Sequence, residues 1–113
     1  MRRVEKPWGH ELIWAETEHY VGKILHIKQG ESLSLQYHVQ KDETIMVLSG
    51  QIEFEHYQEN EPPTKTILKP REPFHITPRL RHRMVALMDS DIVEVSTTEL
   101  DDVVRLADNY GRR

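Results

Sequence analysis

Cysteine is absent from this sequence, and its absence excludes disulfide bonds, thiolate metal ligands and cysteine nucleophiles. Long apolar runs are also missing: nowhere do about 18 apolar residues follow one another, so no membrane span is predicted. A basic excess is missing too, because 19 Asp and Glu outnumber 15 Lys and Arg, which argues against a nucleic-acid partner. The charged N-terminus has no apolar stretch behind it, unlike a signal peptide, so we expect a cytoplasmic protein.

Apolar residues are scarce as well: 37% of the 113 residues are hydrophobic and 7% are aromatic. A chain of this length closes one core, so we expect a single domain over residues 1–113 built as a barrel or sandwich of short strands. Such a small barrel, with Trp8 and Trp14 near its N-terminus, should leave apolar strand surface exposed. We therefore expect a homodimer to which the N-terminal strands contribute.

The spacing of turn-forming residues along the chain is typical of an all-β protein. Segments rich in Val, Ile, Leu and Thr are separated by Gly, Pro and Asp signals at intervals of about ten residues. We predict strands over residues 20–28, 32–38, 43–48, 51–57, 66–68, 74–77, 82–87 and 91–97. Near the end, Thr98 and Asp101 resemble a capping box and predict a short helix from residue 98 to about residue 107.

Four residues form a candidate metal site. Gln36 and His38 lie two apart on one predicted strand, so their side chains leave the same face, and Glu43 begins the next strand. His82 is distant in sequence, but closing a sheet into a barrel can bring it to the same interior point. Two imidazoles, a carboxylate and an amide oxygen suit a divalent transition metal, with Zn first and Mn, Fe or Ni as alternatives, better than Ca or Mg.

Taken singly, each of these residues has a more ordinary interpretation, because a lone histidine on a strand is usually a hydrogen-bonded structural residue. The remaining histidines fit no ligand spacing and are interpreted as structural or solvated: His10, His19, His26, His56 and His75.

The spacing of the candidate ligands resembles a known motif. Gly30, Gln36, His38, Glu43 and Gly50 are spaced as in the first cupin motif, Gly-x5-His-x-His-x4-Glu-x6-Gly, except that Gln36 replaces the first histidine. The segment from Phe74 to His82 resembles the second cupin motif, with Thr77 in place of a proline and Arg79 in place of the turn glycine. The resemblance implies a cupin-type β-barrel, a double-stranded β-helix or jelly roll, with the short C-terminal helix appended.

A narrower resemblance covers nearly the whole chain. Lys6-Pro7-Trp8-Gly9, the segment 30–38, Val47-Leu48-Ser49-Gly50 and the closing segments 100–106 and 108–112 are similar to type II mannose-6-phosphate isomerase domains. In that family the position of Gln36 is itself Gln and binds the metal.

The resemblance implies a sugar-phosphate aldose–ketose isomerase, which needs a polarised carbonyl, a base and a phosphate anchor. Glu94 and His26 are candidate bases by residue type alone. Lys23, Arg83 and Arg112 are candidate phosphate anchors. Arg83 follows His82 directly and should point out of the barrel, which favours Lys23 and Arg112.

Two alternatives stay open. The chain can be a metal-dependent cupin that binds a sugar or another small molecule without turnover. It can also be an Fe(II) dioxygenase with a two-histidine, one-carboxylate site.

Overall fold

The structure is a computed structural model, and it describes residues 1–111. The chain forms eleven strands: β1 (Arg2–Lys6), β2 (Gly9–Glu16), β3 (Val21–Ile27), β4 (Leu35–Tyr37), β5 (Glu43–Ser49), β6 (Ile52–Tyr57), β7 (Thr64–Leu68), β8 (Pro73–Ile76), β9 (Arg81–Ala86), β10 (Ser90–Ser96) and β11 (Val104–Ala107). The predicted all-β class is confirmed. Within the described residues, no helix is long and apolar enough to cross a membrane.

The strands form two antiparallel sheets, with the order β1-β2-β3-β10-β5-β8 in the larger and β11-β4-β9-β6-β7 in the smaller. Alternating side chains of both sheets point inward and form one apolar cluster. Leu25, Ile45 and Ile92 come from the larger sheet, and Phe54 and Met84 from the smaller. The core is therefore enclosed between the sheets, as in a sandwich closing toward a barrel.

The predicted C-terminal helix is wrong. Residues 98–103 form tight turns, with Leu100 N donating to Thr98 O and Val103 N to Asp101 O, and β11 follows and pairs with β4. Two β-branched residues, Val103 and Val104, favour extended backbone. The free edge of β4 offers β11 a ladder of hydrogen bonds, so tertiary pairing overrides the local capping pattern.

Strands β1 and β2 lie before the first predicted strand. The charged sequence of β1 gives no apolar alternation, because β1 is the edge strand of its sheet and most of its side chains are exposed. Trp8, between β1 and β2, is 2% exposed and belongs to the core, whereas Trp14 is 46% exposed. Of the two tryptophans, only Trp14 leaves apolar surface for a partner.

Two turn positions adopt a backbone conformation with positive φ. Gly50 has a φ of +91°, and a Cβ there would lie 2.2 Å from Ser90 Oγ, so glycine is required. Arg79 adopts a φ of 70° in the position where the cupin pattern has glycine. Its N–H donates to His38 O over 2.6 Å, so the turn is kept although the residue is not glycine.

Candidate metal centre and cavity

Three of the four predicted ligands meet at one buried point. His38 follows β4, Glu43 begins β5 and His82 lies on β9, and one ligand atom of each lies within 4.8 Å of the other two. His38 Nε2 is 2.9 Å and His82 Nε2 is 3.9 Å from Glu43 Oε1. All three residues are at most 4% exposed. The side chains therefore converge from both sheets.

Backbone carbonyls fix the orientation of both imidazoles. His38 Nδ1 donates to Asp102 O over 2.5 Å, and His82 Nδ1 donates to Leu80 O over 2.8 Å. With Nδ1 protonated, Nε2 presents its lone pair to the site, as in metal-binding histidines.

The convergent atoms lack hydrogen bonds of their own. His38 Nε2 and His82 Nε2 are buried without a hydrogen-bond partner. Glu43 Oε2 also has no hydrogen bond, and the Lys41 ammonium lies 3.4 Å from it. The 2.9 Å approach of His38 Nε2 to Glu43 does not have hydrogen-bond geometry. Each such buried polar atom costs about 1–3 kcal/mol unless something satisfies it. Two imidazole nitrogens and a carboxylate are ligands that suit a divalent transition metal, so these residues fit the predicted metal site.

Gln36 lies beside this group. It pairs with His82 across β4 and β9. With His38 and Glu43, it lines a cavity described below. Its Oε1 accepts a hydrogen bond from Ser34 Oγ over 2.7 Å. An amide oxygen has two lone pairs, so this bond leaves one for a metal.

A buried ion-pair network adjoins the candidate ligands. Lys41 Nζ lies 3.4 Å from Glu43 Oε2 and 3.3 Å from Glu94 Oε2, and all three residues are at most 5% exposed. Burial and the charge of Glu43 raise the pKa of Glu94 to about 7. Burial opposes the charge on Glu43, but His38 and Lys41 outweigh it and hold the pKa of Glu43 below its usual value. Glu94 is thus poised to exchange a proton near neutral pH.

The pKa values of the two histidines are shifted in opposite directions. Burial lowers the pKa of His82 and keeps its imidazole neutral. Burial also disfavours the charged form of His38, but Glu43 and the Asp102 carbonyl outweigh it and raise the pKa of His38. A neutral His82 is ready to act as a ligand, whereas the raised pKa of His38 makes its metal binding more sensitive to acid, because a proton competes with the ion for Nε2.

Two residues of this group, His38 and Glu43, line a cavity of about 260 Å³, whereas His82 is not among its lining residues. This volume lies just below the roughly 300 Å³ at which small-molecule pockets begin, so the cavity restricts a ligand to about the size of a monosaccharide. Glu94 and Lys23 both line it, and Lys23 Nζ lies 3.3 Å from Glu11 Oε1. Arg112, the third predicted catalytic residue, lies outside the described residues.

The other sequence candidates do not line the cavity. His26 bonds to Asp91 over 2.7 Å on the outer face of the larger sheet. Arg83 Nη2 donates to Ala107 O over 3.2 Å, consistent with the outward direction expected from strand alternation.

Sequence reasoning missed several residues of the cavity. Lys41 was expected only in a connection between strands, and Glu11 lies in a strand that was not predicted. Arg105 also lines the cavity, although residue 105 was assigned to a helix. Asp102 accepts hydrogen bonds from the backbone N–H groups of residues 39–41 over 2.7–3.0 Å. The one available signal was the segment 100–106, which contains both Asp102 and Arg105 and resembles the family's closing segment.

Comparison with known proteins identifies the family. A family model described as "Mannose-6-phosphate isomerase C-terminal" matches residues 1–108. A search of curated proteins finds no match.

Solved structures at low identity share the fold. KdgF from Halomonas sp. is 22% identical, with a TM-score of 0.74 over 89% of this chain and 91% of that chain. An RmlC-like cupin from Shewanella frigidimarina is 9% identical, with a TM-score of 0.75 over 88% of this chain and 86% of that one. Oxalate decarboxylase from Bacillus subtilis is 18% identical, with a TM-score of 0.76 over 92% of this chain but 29% of that one. The predicted cupin fold is confirmed.

Proposed function

We propose that this chain is a metal-dependent aldose–ketose isomerase of a sugar or sugar phosphate. The premise is that the chain belongs to the mannose-6-phosphate isomerase C-terminal family of cupin domains. One observation supports this most: the buried Nε2 atoms of His38 and His82 have no hydrogen-bond partner and converge on Glu43. His38 and Glu43 also line a cavity together with Glu94, a carboxyl group whose pKa is raised to about 7.

His38, Glu43 and His82 would hold one divalent metal ion, with Gln36 as a fourth ligand, and Zn is the ion we favour. When bound, such an ion supplies Lewis-acid polarisation of a carbonyl oxygen. The carbonyls of Leu80 and Asp102 hold the imidazoles in place before any ion arrives. This preorganisation lowers the cost of assembling the site.

Glu94 is the proposed base. An aldose–ketose interconversion moves one proton between C1 and C2 through an enediol, so a single carboxylate can accept the proton from one carbon and return it to the other. Lys41, 3.3 Å from Glu94, stabilises the carboxylate before the transfer. Lys23 and Arg112 are the proposed contacts for a phosphate group.

A second function, binding without turnover, is favoured by the same ion pair. The Lys41 ammonium opposes the rise in the pKa of Glu94 that burial and Glu43 cause, so it makes this carboxylate a weaker proton acceptor than it would be without the ion pair. If Lys41 stays on Glu94 when the ligand is bound, the cavity recognises the sugar but does not isomerise it.

The test combines metal analysis with proton exchange. The purified protein should contain one divalent ion per chain, and hexose phosphates incubated with it in D₂O should gain deuterium at C2. Glu94→Gln should retain the ion and lose the exchange. Retained metal with no exchange from any sugar or sugar phosphate would favour the binding function. Iron with oxygen consumption would instead point to the dioxygenase.

We also propose a homodimer formed through the outer face of the larger sheet. Leu12, Ile24, Val93 and Met46 stand in one register row across β2, β3, β10 and β5, and all four are partly exposed. In the neighbouring row, Trp14 and Val95 flank Gly22. A continuous apolar sheet face of this kind is typical of a protein interface.

A further inference from the structure

The charged groups around the cavity are unequally paired. Lys23 lies against Glu11, Lys41 against Glu43 and Glu94, and Arg2 pairs with Glu16 outside the cavity lining. Within residues 1–111, two of the lining cations have no ion pair or side-chain hydrogen bond: Arg105 and Lys6. The lining also holds the carboxylate of Asp101, so the feature that matters is not an excess of positive charge but two cations, Arg105 and Lys6, that no described side chain engages directly.

Arg105 is positioned on the same row as the candidate metal ligands. It pairs with Gln36 across β11 and β4, and Gln36 pairs with His82 across β4 and β9. Residues directly opposite each other in a sheet present their side chains on the same face. Adjacent strands are about 4.8 Å apart, so the Cα atoms of Arg105 and His82 are about 10 Å apart. This separation is about the length of a sugar derivative.

The buried part of the Arg105 guanidinium has no hydrogen-bond partner. Its Nε is inaccessible to solvent and makes no hydrogen bond. The planar guanidinium matches the two oxygens of a phosphate or carboxylate, and Nε is one of the donors in such a fork. A buried donor that faces a cavity and has no protein acceptor is best satisfied by a ligand oxygen.

From this placement, we infer that Arg105 is the principal anchor for an anionic group, a phosphate or a carboxylate, on a small sugar derivative whose other end reaches the His38–Glu43–His82 group. Lys6 contributes a second positive charge from the opposite sheet. The inference rests on the proposed sugar ligand but not on turnover. It adds a specificity residue to Lys23, whose ammonium is already paired with Glu11.

The test is calorimetric binding to the zinc-loaded protein, with inorganic phosphate, a hexose 6-phosphate, a hexuronate and the neutral hexose as probes. Arg105→Gln should weaken binding of an anionic probe by roughly 10- to 100-fold, the range for charge-assisted hydrogen bonds, and leave the neutral hexose unchanged. Arg105→Lys keeps the charge without the fork and should lie between. Arg81→Gln is the matched control, because Arg81 is an exposed arginine on β9 and its loss should change no affinity.

Metal content and thermal unfolding establish whether each variant is folded. If Arg105→Gln does not fold, Arg105→Lys is compared with the unmutated protein instead. Losses confined to phosphate or to hexuronate identify the anion. Equal anion affinities in Arg105→Gln and the unmutated protein would overturn the inference, as would an equal loss for the neutral hexose. Arg105-dependent binding without proton exchange would support the anchor and reject the isomerase. Proton exchange with an unchanged KM in Arg105→Gln would support the isomerase and reject the Arg105 anchor.

Discussion

The buried network of Lys41, Glu43 and Glu94 allows a quantitative prediction for the metal-free protein. The ammonium of Lys41 lies 3.3 and 3.4 Å from the two carboxylates. At an effective dielectric constant of about 20, each attraction is about 5 kcal/mol. Desolvation offsets much of this, and removing one partner of a buried pair typically costs about 3–5 kcal/mol, because it leaves an uncompensated charge. We expect that loss of unfolding free energy for Lys41→Met.

The loss should depend on pH. Because the folded-state pKa of Glu94 is raised to about 7, the folded protein holds a proton that the unfolded chain releases above a pKa of 4.5. Stability from this group is therefore complete below about pH 4.5 and is lost as the pH rises through 7. Lys41→Met raises the pKa of Glu94 further, so its cost should be larger at pH 8 than at pH 5.5.

Urea denaturation in the presence of a chelator measures the effect, and a double-mutant cycle isolates its cause. Adding Glu94→Gln to Lys41→Met removes one of the two stranded carboxylates and should recover at least about 1 kcal/mol, a coupling typical of contacting residues. A cost below 1 kcal/mol at pH 8, or strictly additive effects in the double mutant, would refute the reasoning.

Three further predictions concern the ligands, their support and the outer face. His38→Ala and His82→Ala should each abolish stoichiometric metal binding, whereas Gln36→Ala should weaken it; full metal content in both histidine variants would place the site elsewhere. Asp102→Ala should lower metal affinity by roughly 10- to 100-fold, measured by competition with a chelator. The pKa of Asp102 is lowered from 3.8 to about 2 by the backbone N–H groups of residues 40, 39 and 41. Its stabilising contribution should therefore be complete above pH 3.8 and be lost as the pH falls from there through about 2. Val93→Asp should convert the dimer to a monomer in light scattering, and a monomeric unmutated protein would contradict the dimer.

The sequence by itself predicted the strand set from residue 20 to residue 97, because alternation and turn residues there are strong local signals. It also singled out His38, Glu43 and His82, whose spacing matches a motif and which the structure brings within 4.8 Å of one another. Strands β1 and β11 carry no comparable signal. β1 is a charged edge strand, and β11 depends on an unpaired edge of β4 that exists only in the folded protein.

Tertiary structure alone decided the electrostatics of the cavity. Nothing in the local sequence distinguishes Lys41 from a solvated loop lysine, yet the pairing of β5 with β10 places it between Glu43 and Glu94. Likewise, two strand pairings place Arg105 in the same register row as Gln36 and His82, and both join β4 to a strand far along the chain. Local periodicity determines which face a side chain takes, whereas the partner across the sheet is determined by long-range pairing, and burial and charge follow from that partner.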